Sequence, residues 1–329
     1  MRLLGSCSLL VVALVPSPSP GGQGVSNLSN VTPSPVEVPA GVILVKGAGS
    51  SASDSVTPLP EVGNVAHGVF SDPYSGITYA LPEGWTEKYK GPPPSDGGRY
   101  VLAELTPTNT LPGKAGGSIL ITAQDMFFTP VPARTAAELV LYMKEHLQAD
   151  YKVEIPPTQA ELAGRSFTYF AYWSPAAQLH WYILATDVRC HAFQIAVTSR
   201  DTKLLDGLMA GMNLMELPAD AHPSGSAVPV CIQDYARDEN MVARVNPVFA
   251  EHRFNPIPVR IIIDQQGRVK HIHFLSAFPD QAKAITDALG QWKFKPYRRE
   301  GQPVEVETGI LFGRGRFAGR VAGSDGNQD

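Results

Sequence analysis

The stretch PVRIIIDQQGRVKHIHFLS, residues 258–276, decides the fold of the C-terminal part of the chain. Val259, Ile261 and Ile263 fall on one face of a predicted strand, because side chains alternate along β-structure. Residues 264–267 predict a turn with glycine at a position that favours positive φ. The return strand is predicted over residues 269–275, so the stretch forms a hairpin.

A helix and a third strand follow the hairpin. Asp280 begins the predicted helix after Pro279, and four apolar residues recur at helical spacing: Ala282, Ile285, Leu289 and Trp292. Pro296 ends this predicted helix, and residues 304–312 alternate as a strand. The order β-β-α-β therefore describes a predicted domain over residues 241–315.

The run WKFKPYRREGQPV, residues 292–304, interleaves aromatic and cationic side chains, as some nucleic-acid-binding surfaces do. The helix prediction explains the run differently, because it places Trp292 on the buried stripe and Lys293 and Lys295 on the exposed side. The formal net charge is also -4, whereas nucleic-acid-binding domains tend to be strongly basic. We therefore predict no nucleic-acid partner.

An α+β domain is predicted over residues 64–217. Its order of strands, helix, strands and helix favours an antiparallel sheet with helices packed on it. Thr135 is the predicted N-cap of the first helix, and Glu138 completes a capping box.

The other segments are predicted to be targeting, linking and terminal regions. Arg2 and the short apolar run after it predict a signal peptide over residues 1–24. A short uncleaved anchor is the alternative, although a spanning helix needs about 20 apolar residues. Residues 25–63 are a predicted disordered Pro/Ser/Gly linker, and residues 218–240 a second linker. The Gly-rich residues 316–329 predict a disordered tail.

Cys190 and Cys231 lie on either side of the second linker's start. Export would place them in an oxidising compartment, where two cysteines often pair. Such a bridge would join the two predicted domains, and two unrelated thiols are the alternative.

The C-terminal pattern carries seven positions that identify a family: Gly267, Val269, Ser276, Pro279, Trp292, Phe294 and Pro296. With the β-β-α-β order, they closely resemble the C-terminal domain of TonB-type energy transducers over residues 245–315. The resemblance implies that a peptide of an outer-membrane receptor adds a strand beside the last strand of the domain. Here the implied partner-binding edge consists of Val304, Val306, Thr308, Ile310 and Phe312. The alternative is that the tail, the first domain or a second protomer covers that edge.

The segments GITYALPEGW (residues 76–85) and AELAGRSFTYFAYW (residues 160–173) are similar to the PsbP-like α/β-sandwich fold, an antiparallel sheet sandwich. That resemblance implies a binding or assembly role without catalysis. A full transducer has an N-terminal membrane helix and a linker that runs straight to its C-terminal domain. This chain departs from that organisation, because its N-terminal apolar run is short and a domain of about 150 residues is inserted before the C-terminal domain.

The sequence contains few candidate catalytic or metal-ligating residues. His271 and His273 share one face of a strand and could form half of a metal site, but no carboxylate or cysteine at fitting spacing completes it. A solvent-facing position is therefore favoured for both imidazoles. Because no catalytic motif is present, we expect no enzyme, no metal and no cofactor.

These observations favour an exported cell-envelope protein, periplasmic or secreted, that makes protein–protein contacts by strand addition. The expected partners are envelope proteins, among them outer-membrane TonB-dependent receptors, and a homodimer is a further alternative. Two other functions remain open. One is a TonB-type energy transducer anchored in the inner membrane by its N-terminus. The other is a secreted structural or ligand-binding protein in which the module is only a scaffold.

Overall fold

The structure is a computed structural model that describes residues 42–45, 51–54, 63–89, 97–108, 116–217, 229–250, 255–313 and 320–321. The expected signal peptide and most of the first linker and of the tail lie outside these residues. Strands β1 (Val42–Val45) and β2 (Ser51–Asp54) form an antiparallel hairpin within the expected first linker.

The N-terminal region, residues 63–217, contains two antiparallel sheets. The smaller one consists of β3 (Asn64–Ala66), β4 (Val69–Asp72) and β5 (Ile77–Ala80). The larger one has the order β6-β7-β8-β12-β11-β10-β9, with bounds β6 (Trp85–Tyr89), β7 (Arg99–Pro107), β8 (Gly117–Asp125), β9 (Lys152–Leu162), β10 (Arg165–Ser174), β11 (Leu179–Val188) and β12 (His191–Ser199). The helices are α1 (Ala136–Glu145) and α2 (Thr202–Met212).

Both faces of the larger sheet are covered, as the alternation along β12 shows. Phe193 and Ile195 belong to the hydrophobic core beneath α2, while Ala192 and Ala196 belong to the core beneath α1. Thr135 caps α1 by accepting a hydrogen bond from the Glu138 amide, as predicted.

The C-terminal region, residues 229–313, has its own hydrophobic core. Its main elements are β13 (Val230–Cys231), a 3-10 turn (Asp238–Asn240), β14 (Met241–Ala243), β15 (Val248–Phe249), β16 (Ile257–Ile263), β17 (Val269–Phe274) and α3 (Pro279–Leu289). They are followed by β18 (Lys293–Phe294), β19 (Arg298–Arg299), β20 (Gln302–Pro303), β21 (Val306–Phe312) and, beyond the region, β22 (Arg320–Val321).

The main sheet of this region has the order β1-β2-β17-β16-β21-β13. The hairpin β16–β17, helix α3 and strand β21 follow the predicted β-β-α-β order. Together the two regions confirm the α+β class with mostly antiparallel sheets.

Gly267 closes the predicted hairpin turn with a φ of 80°. A methyl group at this position would lie 2.0 Å from the Phe294 carbonyl oxygen, so the close approach also demands glycine. The Phe294 amide in turn donates to the Gly267 carbonyl at 2.7 Å. Two of the seven family-like positions thus hold the hairpin against the chain that leaves α3.

The prediction that the helix continues to Pro296 was wrong. Helix α3 ends at Leu289, and Lys293 and Phe294 form β18, which pairs with β14. The Phe294 amide is engaged by the hairpin turn, so the chain after Gly290 extends instead of continuing the helix. Trp292 still enters the core, where it is 2% exposed.

Residues 229–240, expected to be linker, contribute to the C-terminal region. They carry β13, and Tyr235 and Ala236 pack in its core. The Tyr235 hydroxyl donates to the Lys295 carbonyl at 2.6 Å.

Candidate functional site

Strand β21, which contains the expected partner-binding edge, has two neighbours in the sheet. It pairs antiparallel with β16 along its whole length, and Val306 and Glu307 pair in parallel with Val230 and Cys231 of β13. The first half of the expected edge is therefore already occupied by the chain itself.

The second half of β21 differs from the first half in its neighbour on the side away from β16. The Val230 amide donates to the Glu305 carbonyl at 2.8 Å, and the Ile232 amide to the Glu307 carbonyl at 3.0 Å. Backbone groups alternate in direction along a strand, so Gly309 and Leu311 point the same way, away from β16. Within the described part of the chain, no strand pairs with residues 309–312 on that side. We call this side of residues 309–312 the open edge.

The structure places the side chains of the expected edge residues away from a partner. Val306, Ile310 and Phe312 are buried in the C-terminal core, Thr308 is buried, and Val304 is half-buried. The backbone groups of Val306, Thr308, Ile310 and Phe312 face β16 by the same alternation. Val304 lies before β21, and its amide donates to the Tyr297 carbonyl at 3.1 Å, so it was wrongly included in the expected edge. The alternating sequence pattern therefore predicted the strand, whereas the residues whose backbone groups face outward at its open edge are the intervening Gly309 and Leu311.

The open edge lies beside two aromatic side chains of the N-terminal region. A methyl group at Gly309 would lie 2.5 Å from Cβ of Phe127 and 3.0 Å from Cζ of Phe128. Both rings are half-buried, and their centroids are 6.4 Å apart in an edge-to-face arrangement. Leu311 is 37% exposed, so an apolar side chain is presented next to backbone groups that no described strand pairs.

Behind the edge, Arg260 joins the two regions through a buried charged cluster. Its Nη1 lies 3.2 Å from Oδ2 of Asp125 and donates to Nε2 of His191 at 2.6 Å. Its Nη2 donates to Oε1 of Glu307 at 2.5 Å. The guanidinium also lies 5.3 Å from the centroid of the Phe127 ring.

Burial governs protonation in this cluster. Burial, together with the nearby Arg260 cation, holds the pKa of His191 well below its usual range. Burial raises the pKa of Asp125 to about 6, although the Arg260 charge opposes this rise. Burial lowers the pKa of Arg260, but the carboxylates of Glu307 and Asp125 more than reverse that effect, so Arg260 stays charged.

His191 lies between Arg260 and Tyr74. Nη1 of Arg260 is 2.6 Å from its Nε2 and 3.1 Å from its Nδ1, and the Tyr74 hydroxyl is 2.5 Å from Nδ1. Tyr74 in turn lies under the Arg189 guanidinium, 4.7 Å from the ring centroid. The first small sheet and the large sheet therefore both reach the cluster.

A disulfide lies next to the cluster. Cys190 and Cys231 are bonded at 2.06 Å, and Sγ of Cys190 is 3.2 Å from Oε2 of Glu307. These three residues form the one group of three potential metal-ligating side chains found among the described residues. In the disulfide the sulfurs carry no thiolate, so the group offers a metal no thiolate ligand in this state.

His271 and His273 do not both face solvent as expected. His273 is 4% exposed, because the sheet face opposite α3 packs against the N-terminal region. The space lined by Arg260, His273 and Glu307 has no room for a water molecule. The described cluster is therefore a packed junction and not a small-molecule pocket.

Sequence reasoning missed Arg260. The signal was present, because one cation interrupts the apolar run of β16, where six of seven residues are buried. A strand buried on both faces has no solvent-facing position for an arginine, so a charged partner was implied.

The comparisons with known proteins give matches among solved structures. No family model matches the chain, and no curated protein matches it. The solution structure of cyanobacterial PsbP (CyanoP) from Synechocystis sp. PCC 6803 is similar at 15% identity and a TM-score of 0.33, over 48% of this chain and 99% of that chain. The crystal structure of LpqN, involved in cell envelope biogenesis of Mycobacterium tuberculosis, is similar at 13% identity and a TM-score of 0.31, over 47% and 89%.

Similarity at these identities and TM-scores carries no argument about fold or function. A PsbP is among the similar structures. The assignments of a PsbP-like and a TonB-like domain stay predictions. Among the described helices, none has the length and apolar character needed to cross a membrane.

Proposed function

We propose that this chain is an exported cell-envelope protein that binds a partner protein by strand addition at the open edge, residues 309–312. The observation that carries the proposal is that Gly309 and Leu311 direct backbone groups away from β16, with no described strand beside them. Unpaired N–H and C=O groups at a sheet edge supply affinity for an extended peptide.

The surroundings of the open edge suggest how a partner strand would be selected. Phe127 and Phe128 are half-buried beside Gly309, and Leu311 is exposed. A partner strand with an apolar side chain would bury these surfaces, and aromatic side chains often contribute much of the energy of an interface. The partner class is a peptide segment of an envelope protein, with outer-membrane TonB-dependent receptors as the class that the TonB-like pattern implies. The proposed role involves no catalysis and no cofactor.

A second function is favoured by a specific observation. Strand β13 covers half of β21, so the β-β-α-β unit could serve only as a scaffold. On that account the open edge contacts no partner, and Leu311 is simply one exposed apolar residue.

Site-specific photocrosslinking of the full chain separates these functions. A photoreactive phenylalanine derivative replaces Leu311 in one variant and Leu214, an 81% exposed residue after α2, in the matched control. Illumination in intact envelopes is followed by mass spectrometry of the adducts. A discrete adduct from position 311 that position 214 does not form supports strand addition. Identical adducts from both positions, or none from 311, would support the scaffold function.

The anchored transducer makes a different prediction about the N-terminus. N-terminal sequencing of the mature protein should show a start after residue 15 if the chain is exported and cleaved. A retained residue 1 would instead favour the anchored function.

A further inference from the structure

Strand β13 is held on β21 by few interactions. It is two residues long, and the amides of Val230 and Ile232 donate hydrogen bonds to the carbonyls of Glu305 and Glu307. The hydroxyl of Thr308 adds a bond of 3.3 Å to the Gln233 carbonyl. Each such hydrogen bond adds little net stability, because folding exchanges it for hydrogen bonds to water, so this pairing is weak by itself.

The Cys190–Cys231 disulfide adds a covalent restraint to the weak pairing of β13 with β21. Cys231 belongs to β13, while Cys190 precedes β12 in the N-terminal region and is 4% exposed. Tyr235, four residues beyond Cys231, is fixed in the C-terminal core by its bond to Lys295. The covalent bond therefore tethers a short segment whose far end is already anchored.

We propose that the Cys190–Cys231 disulfide is a redox latch that holds β13 over the first half of β21, and that its reduction extends the open edge from residues 309–312 back to Glu307. This inference rests on the proposed strand-addition function, because it assigns a regulation to the same edge.

The chemistry needs a dithiol reductant. Cys231 is the exposed member of the pair, so the reductant thiolate attacks its sulfur and expels Cys190 as a thiolate. Cys190 takes up a proton, because a thiolate beside the Glu307 carboxylate is disfavoured, and can then donate a hydrogen bond to it. The second thiol of the reductant resolves the mixed disulfide. The products are two cysteine thiols and the oxidised reductant, after transfer of two electrons and two protons.

Once the bond is broken, β13 can leave the sheet at the cost of one partly buried contact with the C-terminal core. Cys231 is exposed and Val230 is half-buried, whereas Ile232, which follows β13, packs partly buried against that core. Arg260 and Glu307 keep their ion pair, because both belong to β16 and β21 themselves.

Amide hydrogen exchange on the full chain tests the latch without any partner. The oxidised protein, the protein reduced with dithiothreitol, and the Cys231→Ser variant are compared at the amides of Val230, Ile232 and Glu307. We expect exchange at these amides to accelerate at least tenfold in the last two samples. Amides of Ile195 and Leu205, in the first core, should not change.

Val230→Pro is the matched control, because it removes the donor to Glu305 and leaves the disulfide intact. We expect faster exchange of the Glu307 amide in this variant under oxidising conditions. Unchanged exchange at all three amides after reduction would overturn the latch, and so would equal acceleration throughout the core, which would mark the disulfide as purely structural. Neither result bears on photocrosslinking at position 311, so the latch and the proposed function can fail separately.

Discussion

Nη1 of Arg260 lies 3.2 Å from Oδ2 of Asp125, and this ion pair connects two regions that have separate hydrophobic cores. Arg260 extends from the sheet that carries the open edge, and Asp125 ends the strand that leads to Phe127. The position of the aromatic side chains beside the open edge therefore depends on this buried contact.

Arg260→Met should strongly destabilise the protein. The substitution leaves the buried carboxylates of Asp125 and Glu307 without their cation, and breaking a buried ion pair in this way costs about 3–5 kcal/mol. Urea unfolding at neutral pH measures the loss. Arg268→Met is the control, because its pair with Asp264 is exposed on the arginine side and should contribute at most about 1 kcal/mol. Equal losses in the two variants would show that the cluster does not join the regions.

His191→Gln should change the pH dependence of stability. The pKa of His191 is lowered in the folded protein, so below the ordinary value of 6.5 the unfolded chain binds more protons and wild-type stability falls. The glutamine variant lacks this loss, so its stability relative to wild type should rise by about 1.4 kcal/mol per pH unit below that value. Urea unfolding between pH 7 and pH 5 measures the difference.

Asp125→Asn should change the pH dependence of stability in the direction opposite to His191→Gln. Burial raises the pKa of Asp125 to about 6, so the folded wild type takes up a proton first and gains stability as pH falls from that value towards 3.8. The asparagine variant lacks the gain, so its stability relative to wild type should decline over this interval. A relative rise would contradict the assigned protonation states.

Gly309→Ala should disturb the contact between the open edge and the aromatic side chains. The added methyl group would lie 2.5 Å from Cβ of Phe127, and overpacking of this kind costs about 1–3 kcal/mol. Gly207→Ala is the control, because nothing lies within 4 Å of the added methyl group in α2 and the change should stabilise by about 0.5–1 kcal/mol. Thermal unfolding compares the two. A neutral Gly309→Ala would mean that Phe127 is not packed against the strand.

Gly267→Ala should be far more costly than Gly301→Ala. Both glycines have φ near 80°, so an alanine at either position incurs about 1–2 kcal/mol of backbone strain. Only at Gly267 would the methyl group also meet a carbonyl oxygen, at 2.0 Å, while nothing lies within 4 Å at Gly301. Urea unfolding should therefore show an excess loss of at least about 1 kcal/mol for Gly267→Ala. Equal losses would show that the turn is not fixed against Phe294.

Local patterns predicted much of the fold. The hairpin around Gly267, the N-cap at Thr135 and the start of α3 near Pro279 depend on residues close in sequence, and the structure shows all three. The end of α3 was mispredicted, because Trp292 is apolar at helical spacing while a contact with Gly267 decides the chain direction.

The candidate site depends on contacts that no local pattern encodes. Gly309 is a glycine because Phe127, far away in sequence, occupies the place of its side chain. Strand β13 reaches β21 across most of the C-terminal region, so sequence alternation could identify the strand but not its neighbour. The general lesson is that alternation separates the faces of a strand, whereas the availability of its edge is a tertiary property.

Strand addition requires that backbone groups of the open edge bind the partner strand. Leu311→Pro removes an outward N–H group but leaves the pairing with β16, whereas Leu311→Ala removes most of the side chain and keeps the N–H group. The measurement is the yield of the envelope adduct from a photoreactive residue at Phe128 in each variant of the full chain. We expect Leu311→Pro to abolish the adduct and Leu311→Ala only to reduce it. Equal yields in wild type and Leu311→Pro would contradict strand addition at this edge.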